Sequence, residues 1–283
     1  MRKLYIYMGS KDRHLDLLNS IIKNSESKNY CEPFLGSGSL FLNLEKDFDK
    51  YYLNDLQEEN TLSFKFKDEL NENFIREIFN NCINEFPLSN KDYYYRFRDE
   101  LLNATTNDKI EKAVYIFRIY NTCINGMVKF NKNKFNQSYG GDRKSSLQNL
   151  NDKLFNYIDS INYIKSKNIE VFNNSFEDLL NKNDCLYFFD PPYITNKMGC
   201  NAGFDSSKLE TLIDFMLNTK EEFVYTDMLN DINKKLLDKF NYCTVDKIRS
   251  ISPKKGFDCK KEEIVVWNFK QKDIFNVWTY LKN

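Results

Sequence analysis

Cys185-Leu186-Tyr187-Phe188-Phe189-Asp190-Pro191-Pro192-Tyr193 decides the fold. Five apolar residues in a row, with no helical period and an abrupt proline stop, suit a strand covered on both faces. Such a strand belongs to an α/β sheet. Upstream, Asn29 to Phe34 forms a second strand candidate, and Leu35-Gly36-Ser37-Gly38-Ser39 follows it as a turn, with Leu40 to Glu45 expected to be helical. Tyr51 to Leu53 makes another strand, ending at Asn54-Asp55; Ile169 to Phe172 and Glu222 to Thr226 make two more. Tyr242 to Ile248 and Ile264 to Phe269 suit a closing hairpin.

Helical patterns fill the remainder. Residues 11–24 carry Leu15, Leu18, Ile21 and Ile22 on one face, with the single histidine, His14, expected on that helix's surface. From about 57 to 122 the pattern is helical except at Pro87, after which Ser89 or Asn90 is placed to cap the next helix. Residues 123–146 are polar, and Met127 to Asn131 with Lys134 to Asn136 suits a small hairpin. A helix from Leu147 to Ile164 follows, and Ser206 is the expected cap of the last one. The sum is a mostly parallel sheet with an insert at roughly 57–165. In such sheets ligands bind beyond the carboxyl ends of the strands, where both Gly36-Ser37-Gly38 and Asp190-Pro191-Pro192-Tyr193 fall.

Composition narrows the chemistry. The 283 residues hold 41 Lys+Arg against 41 Asp+Glu, so any attraction for nucleic acid must be local. It is local: residues 123–148 hold Lys129, Lys132, Lys134, Arg143 and Lys144 against Asp142, and residues 247–261 hold six cations against Asp258. Seven cysteines without a CxxC pair fit reduced thiols, neither a disulfide framework nor a zinc site. One histidine removes most zinc-hydrolase and Ser-His-Asp chemistries. No run is long enough for a signal peptide core or a membrane span, so a cytoplasmic protein is expected.

Two places carry chemistry. In the glycine turn, absent side chains let a ligand approach the backbone, and a helix start there would offer free N–H groups. Asp55, at the end of the next strand, is placed to accept hydrogen bonds from ribose hydroxyls. The missing third glycine argues against a nicotinamide site. The second place is Asp190 to Tyr193. An aryl amine is a poor nucleophile because its lone pair is delocalised into the ring. A carboxylate and a backbone carbonyl that accept both amine hydrogens favour a more tetrahedral nitrogen. Pro191 and Pro192 fix the backbone and present no N–H to the substrate. Tyr193 offers a face on which a flipped base can stack.

In this order and spacing the chain resembles the Dam-type DNA adenine methyltransferases, the D12 family in the motif order called α, over nearly its whole length. The resemblance implies a class I S-adenosylmethionine-dependent methyltransferase fold, a Rossmann-like mixed sheet with a mainly helical target-recognition insert. Residues 1–56 and 166–283 would form the catalytic domain and 57–165 the recognition domain. Tyr7-Met8-Gly9-Ser10-Lys11 is similar to the family's N-terminal motif, which makes Tyr7 and Lys11 contacts for the methionine end of S-adenosylmethionine. By the same likeness Phe34, Gly36, Gly38, Asp55, Phe176, Asp178 and Asp190 are cofactor contacts, Phe176 and Asp178 at the adenine ring. Asn125, Met127, Lys129, Asn131 and Lys134 resemble the DNA-reading hairpin, and Arg143 falls where a guanine-reading arginine is expected. The family usually has arginine where this chain has Lys129, which leaves a phosphate contact without bidentate geometry.

The implied activity is methyl transfer to adenine N6 in double-stranded DNA by base flipping, with GATC as the family's commonest target and no metal. Cytosine N4 is the alternative acceptor, although such enzymes more often carry Ser where this chain has Asp190. A catalytically silent DNA-binding relative is the alternative of another class, and methylation of RNA or protein glutamine a third. The sequence leaves open the oligomeric state and any partner restriction enzyme.

Overall fold

The computed structural model describes residues 1–88, 90–103, 108–126, 130–131, 134–141, 147–194, 203–246 and 262–270. Its main sheet contains β1 (Asn29–Glu32), β2 (Lys50–Asn54), β5 (Ile169–Phe172), β6 (Cys185–Phe189), β7 (Glu222–Met228), β8 (Asn241–Asp246) and β9 (Glu262–Trp267). The strand order is β5-β2-β1-β6-β7-β9-β8, while β3 (Phe130–Asn131) and β4 (Lys134–Phe135) form a separate hairpin. This is the α/β fold the apolar runs predict. β6 pairs parallel with β1 and β7, and every one of its residues is buried. β9 pairs antiparallel with both β7 and β8, the expected closing hairpin.

The chain divides into two compact units. One is Met1–Leu15, Leu35–Leu44 and Leu53–Asn174; the other is Asp16–Phe34, Glu45–Tyr52 and Ser175–Asn283. The first holds α2 (Glu58–Lys65), α3 (Glu72–Glu85), α4 (Lys91–Arg96), α5 (Lys109–Thr122) and α6 (Leu147–Lys165). α4 runs on into a π-helical turn, Phe97–Leu102. α5 is the core of this unit, since Ala113 through Thr122 are all buried. Its Arg118, 3% exposed, donates to the Cys82 and Phe86 carbonyls and lies 4.1 Å over the Phe97 ring. Those carbonyls lie at the C-terminal end of α3, where the Cys82 one also accepts the Phe86 N–H, so the buried cation sits at the negative end of a helix dipole. At helix starts, Asn71, Asn90 and Asp108 accept N–H groups of the first turn, a contribution of about 1 kcal/mol each.

The second unit holds most of α1 (Leu15–Ile22), α7 (Ser206–Asn218) and the strands from β6 onward. Three local expectations need correction. The cap of α7 is Asp205, whose side chain accepts the Lys208 N–H; Ser206 is the first helical residue. Leu40 to Glu45 is no α-helix but a single 3₁₀ turn, Phe41–Asn43. The Asn43 side-chain NH2 there donates to the Ser39 and Arg2 backbone carbonyls and its Oδ1 accepts the Arg2 N–H, so a side chain competes with helix propagation. His14 is half-buried in a 3₁₀ turn, Asp12–His14, ahead of α1. The cysteines at 31, 82, 123, 185 and 243 are free and buried.

Candidate functional site

In the first unit, the glycine turn and Asp55 meet. The Gly36 N–H donates to Asp55 Oδ2 at 2.7 Å, and the Gln57 N–H donates to Oδ1 at 2.8 Å. Burial pushes the Asp55 pKa up, opposed by these two N–H groups and the Asn60 side chain. Asn173 donates to the Asp55 carbonyl, and Asn54 and Asn174 exchange hydrogen bonds, which ties the ends of β2 and β5 together. Each carboxylate oxygen has two lone-pair directions, so the anchored acid retains acceptor capacity for a ligand hydroxyl.

Gly36 and Gly38 have φ of +53° and +66°, the left-handed region that disfavours other residues. A Cβ at Gly36 would lie 3.1 Å from the Tyr7 ring, and one at Gly38 2.6 Å from the Phe64 ring. Both glycines therefore serve backbone geometry and aromatic packing. Tyr7 accepts a hydrogen bond from the Asn60 amide at 3.2 Å, and buried Lys11 donates its N–H to Ser39 Oγ at 3.1 Å. The N-terminal motif and the glycine turn thus pack on each other.

The same unit carries the hairpin. Phe130 pairs with Phe135 and Asn131 with Lys134. Asn103 clamps the Phe135 backbone with two hydrogen bonds, and the Phe135 ring lies 5.7 Å from Tyr120, itself packed edge-on to Tyr5 at 4.8 Å. Asn125 is in a 3₁₀ turn, Ile124–Gly126, whose Gly126 carbonyl accepts the Met8 N–H. Lys134 is exposed. Met127, Lys129, Arg143 and the basic stretch 247–261 lie outside the described residues.

In the second unit, Phe34 and Phe176 come within 5.2 Å, and Phe204 closes the group at 5.5 and 5.8 Å. Phe204 escaped the sequence reading because nothing local marks it; Asp178 is exposed. Asp190 stands at the carboxyl end of β6, half-buried, and the Thr226 hydroxyl donates to its Oδ1 at 3.0 Å. Tyr193 donates its hydroxyl to Glu263 Oε1 at 2.7 Å, and its phenol is held protonated by burial together with the negative charges of Asp190 and Glu263. Pro191 is buried and Pro192 exposed.

Behind this loop lies a second acid that sequence reasoning missed. Asp227, 1% exposed, receives the Tyr225 hydroxyl at 2.7 Å, the Asn233 amide at 3.1 Å and the Met228 N–H at 2.6 Å. Burial pushes its pKa up to about 6 against those three donors, with the Asp190 charge adding to the rise. Among the described residues no helix is long and apolar enough to cross a membrane.

Comparison with known proteins agrees with this geometry. Over 183 residues the chain is 30% identical to the Type II methyltransferase M.MjaIII of Methanocaldococcus jannaschii, covering 61% of each chain. It is 26% identical over 165 residues to the DNA adenine methylase of Serratia marcescens, covering 57% of this chain and 56% of that one. These two matches span less than two thirds of either relative. The Type II methyltransferase M1.LlaDCHI of Lactococcus lactis subsp. cremoris is 26% identical over 255 residues, 85% of this chain and 86% of its own. The model of one family, described as D12 class N6 adenine-specific DNA methyltransferase, matches residues 7–251. On a match of that extent, this chain belongs to the D12 class of N6 adenine-specific DNA methyltransferases.

Proposed function

We propose that this protein transfers a methyl group from S-adenosylmethionine to N6 of an adenine flipped out of double-stranded DNA. The observation that carries this reading is Asp190-Pro191-Pro192-Tyr193 at the end of buried β6, with Asp190 held by Thr226 and Tyr193 held by Glu263. The class I α/β methyltransferase fold of its family supplies the frame.

S-adenosylmethionine, when bound, supplies an electrophilic methyl group on a sulfonium. The residues present suit it. Asp55 is an anchored acceptor for ribose hydroxyls, and the Phe34–Phe176 pair offers an aromatic surface for its adenine ring. Tyr7, Lys11, Gly36, Gly38 and Asp178 complete the proposed cofactor contacts. Asp190 accepts one hydrogen of the target amine and the Pro191 carbonyl the other, which localises the nitrogen lone pair toward the methyl. Tyr193 stacks on the flipped base. This is catalysis by positioning and by preset acceptors, with no covalent enzyme intermediate.

We assign residues 57–165 to target recognition, with Asn125, Met127, Lys129, Asn131 and Lys134 on DNA and Arg143 reading guanine. The loops 123–148 and 247–261 are the proposed phosphate contacts. A DNA substrate makes the cytoplasm the proposed site of action. GATC is the first sequence to test.

Expression in a host lacking adenine methylation, followed by sequencing with modified-base detection, tests the whole reading. N6-methyladenine at one recurrent sequence is the expected result. N4-methylcytosine would transfer the assignment to the alternative acceptor, and unmodified DNA from a host making folded protein would favour a silent DNA-binding relative.

A further inference from the structure

Glu263 is out of character for its strand. It is 2% exposed on β9, where Ile264, Val265, Val266 and Trp267 are all buried. β9 is an inner strand: Glu263 stands opposite Met228 of β7 on one side and Val245 of β8 on the other. A carboxylate buried in such a place is costly unless a polar partner compensates it. One partner is the hydroxyl of Tyr193, seventy residues earlier in sequence, at 2.7 Å.

The tyrosine needs such a contact. Its near end is set by Pro191 and Pro192, which fix the backbone before it. Its far end is a ring whose second torsion is intrinsically broad, so the backbone alone leaves the plane of the ring undetermined. Stacking on a base depends on that plane. Anchoring the hydroxyl fixes it before any base arrives. In this pair the phenol donates and Glu263 Oε1 accepts.

We propose that Glu263 is a positioning residue that fixes the ring plane of Tyr193 for the flipped adenine. The proposal rests on the methyltransferase reading above. Glu263 touches no reacting atom; it acts through the tyrosine. Removal of Glu263 therefore matters only while the Tyr193 hydroxyl is present to be anchored.

The test is a double-mutant cycle in the full-length protein, using Glu263→Ala, Glu263→Gln, Tyr193→Phe and the double variant Tyr193→Phe with Glu263→Ala. Two readouts are taken: kcat for methyl transfer, and the fluorescence of 2-aminopurine substituted for the target adenine in a duplex. Losing a hydrogen bond to a charged group predicts a fall in kcat on the order of 10- to 100-fold for Glu263→Ala. KM for S-adenosylmethionine should stay within about 3-fold of wild type, the spread that marks no lost contact. Tyr193→Phe should match Glu263→Ala in both readouts, and the double variant should be no worse than either single one. Glu263→Gln retains an acceptor oxygen and volume, and should keep most of the rate. Multiplying effects in the double variant would overturn the proposal, as would a folded Glu263→Gln as impaired as Glu263→Ala. Absence of methyl transfer by wild type would instead sink the methyltransferase reading. The fluorescence cycle would still decide whether Glu263 acts through Tyr193.

Discussion

Replacing Gly38 with alanine tests the structural reasoning at the glycine turn. Gly38 has φ +66°, where an L-residue costs about 1–2 kcal/mol. Its new Cβ would lie 2.6 Å from Phe64 Cζ, 3.3 Å from Cε1 and 3.4 Å from Leu35 Cδ1. Phe64 has little room to yield: it is 1% exposed and packs edge-on against Phe41 at 5.9 Å. Overpacking of this kind costs about 1–3 kcal/mol, so the total expected loss is about 2–5 kcal/mol. Urea unfolding followed by far-UV circular dichroism measures it as a lower midpoint at unchanged slope. Phe64→Leu removes the atom that clashes, so in that background Gly38→Ala should cost only the backbone part, about 1–2 kcal/mol. A loss under about 1 kcal/mol in the native background, or an equal loss in both, would refute the packing argument. Gly38 would then be needed for its backbone conformation or for close approach of a ligand, not for packing against Phe64.

Asp55→Ala should raise KM for S-adenosylmethionine by about 10- to 150-fold and leave KM for DNA nearly unchanged. It should also lower stability by about 1–3 kcal/mol, because the Gly36 and Gln57 N–H groups lose their acceptor; equal cofactor affinity would remove Asp55 from the site. Asp227 binds its proton more tightly in the folded protein than in the unfolded chain, with a pKa raised from 3.8 to about 6. Its contribution to stability is therefore full below about pH 4, falls as pH rises toward 6, and is gone above that, a change of roughly 3 kcal/mol. Urea midpoints from pH 4 to 7 for wild type and Asp227→Asn check this: the fall should vanish in the variant, and an identical fall in both would assign it elsewhere. Arg143→Ala should relax base choice by about 1–3 kcal/mol, and Lys129→Ala should weaken binding to all sequences alike with a shallower salt dependence. Duplexes differing at one base, assayed at several salt concentrations, separate the two; a uniform loss for Arg143→Ala ends its guanine-reading role.

What the sequence disclosed follows from how local each signal is. The apolar run Cys185–Phe189 became β6 with its predicted bounds, because a strand buried on both faces needs no partner information to be recognised. Ile169–Phe172, a part-exposed edge strand, and the Asn90 cap were also legible, from composition and from capping chemistry. Leu40 to Glu45 had helical composition, yet Asn43 and the Asn19 side chain, which accepts the Glu45 N–H, took the backbone groups a helix would have used. Thr226, Asp227, Glu263 and Phe204 were illegible as site residues. Each gains its meaning from a partner on another element (Asp190, Asn233, Tyr193, Phe34), and pairing across 6 to 170 residues leaves no trace in local pattern. The glycine pair was legible as a turn, but its packing against Tyr7 and Phe64 was not.

The role proposed for Asp190 is activation of an adenine amine for methylation. Purified wild type and Asp190→Ala, incubated with tritiated S-adenosylmethionine and duplex DNA, decide it when the DNA is digested and its nucleosides separated. Wild type should place label in N6-methyldeoxyadenosine alone. Asp190→Ala should place none there while retaining its fold and much of its DNA affinity, which the proposed phosphate contacts would supply. Turnover retained in Asp190→Ala, or wild-type label in N4-methyldeoxycytidine, would contradict the account.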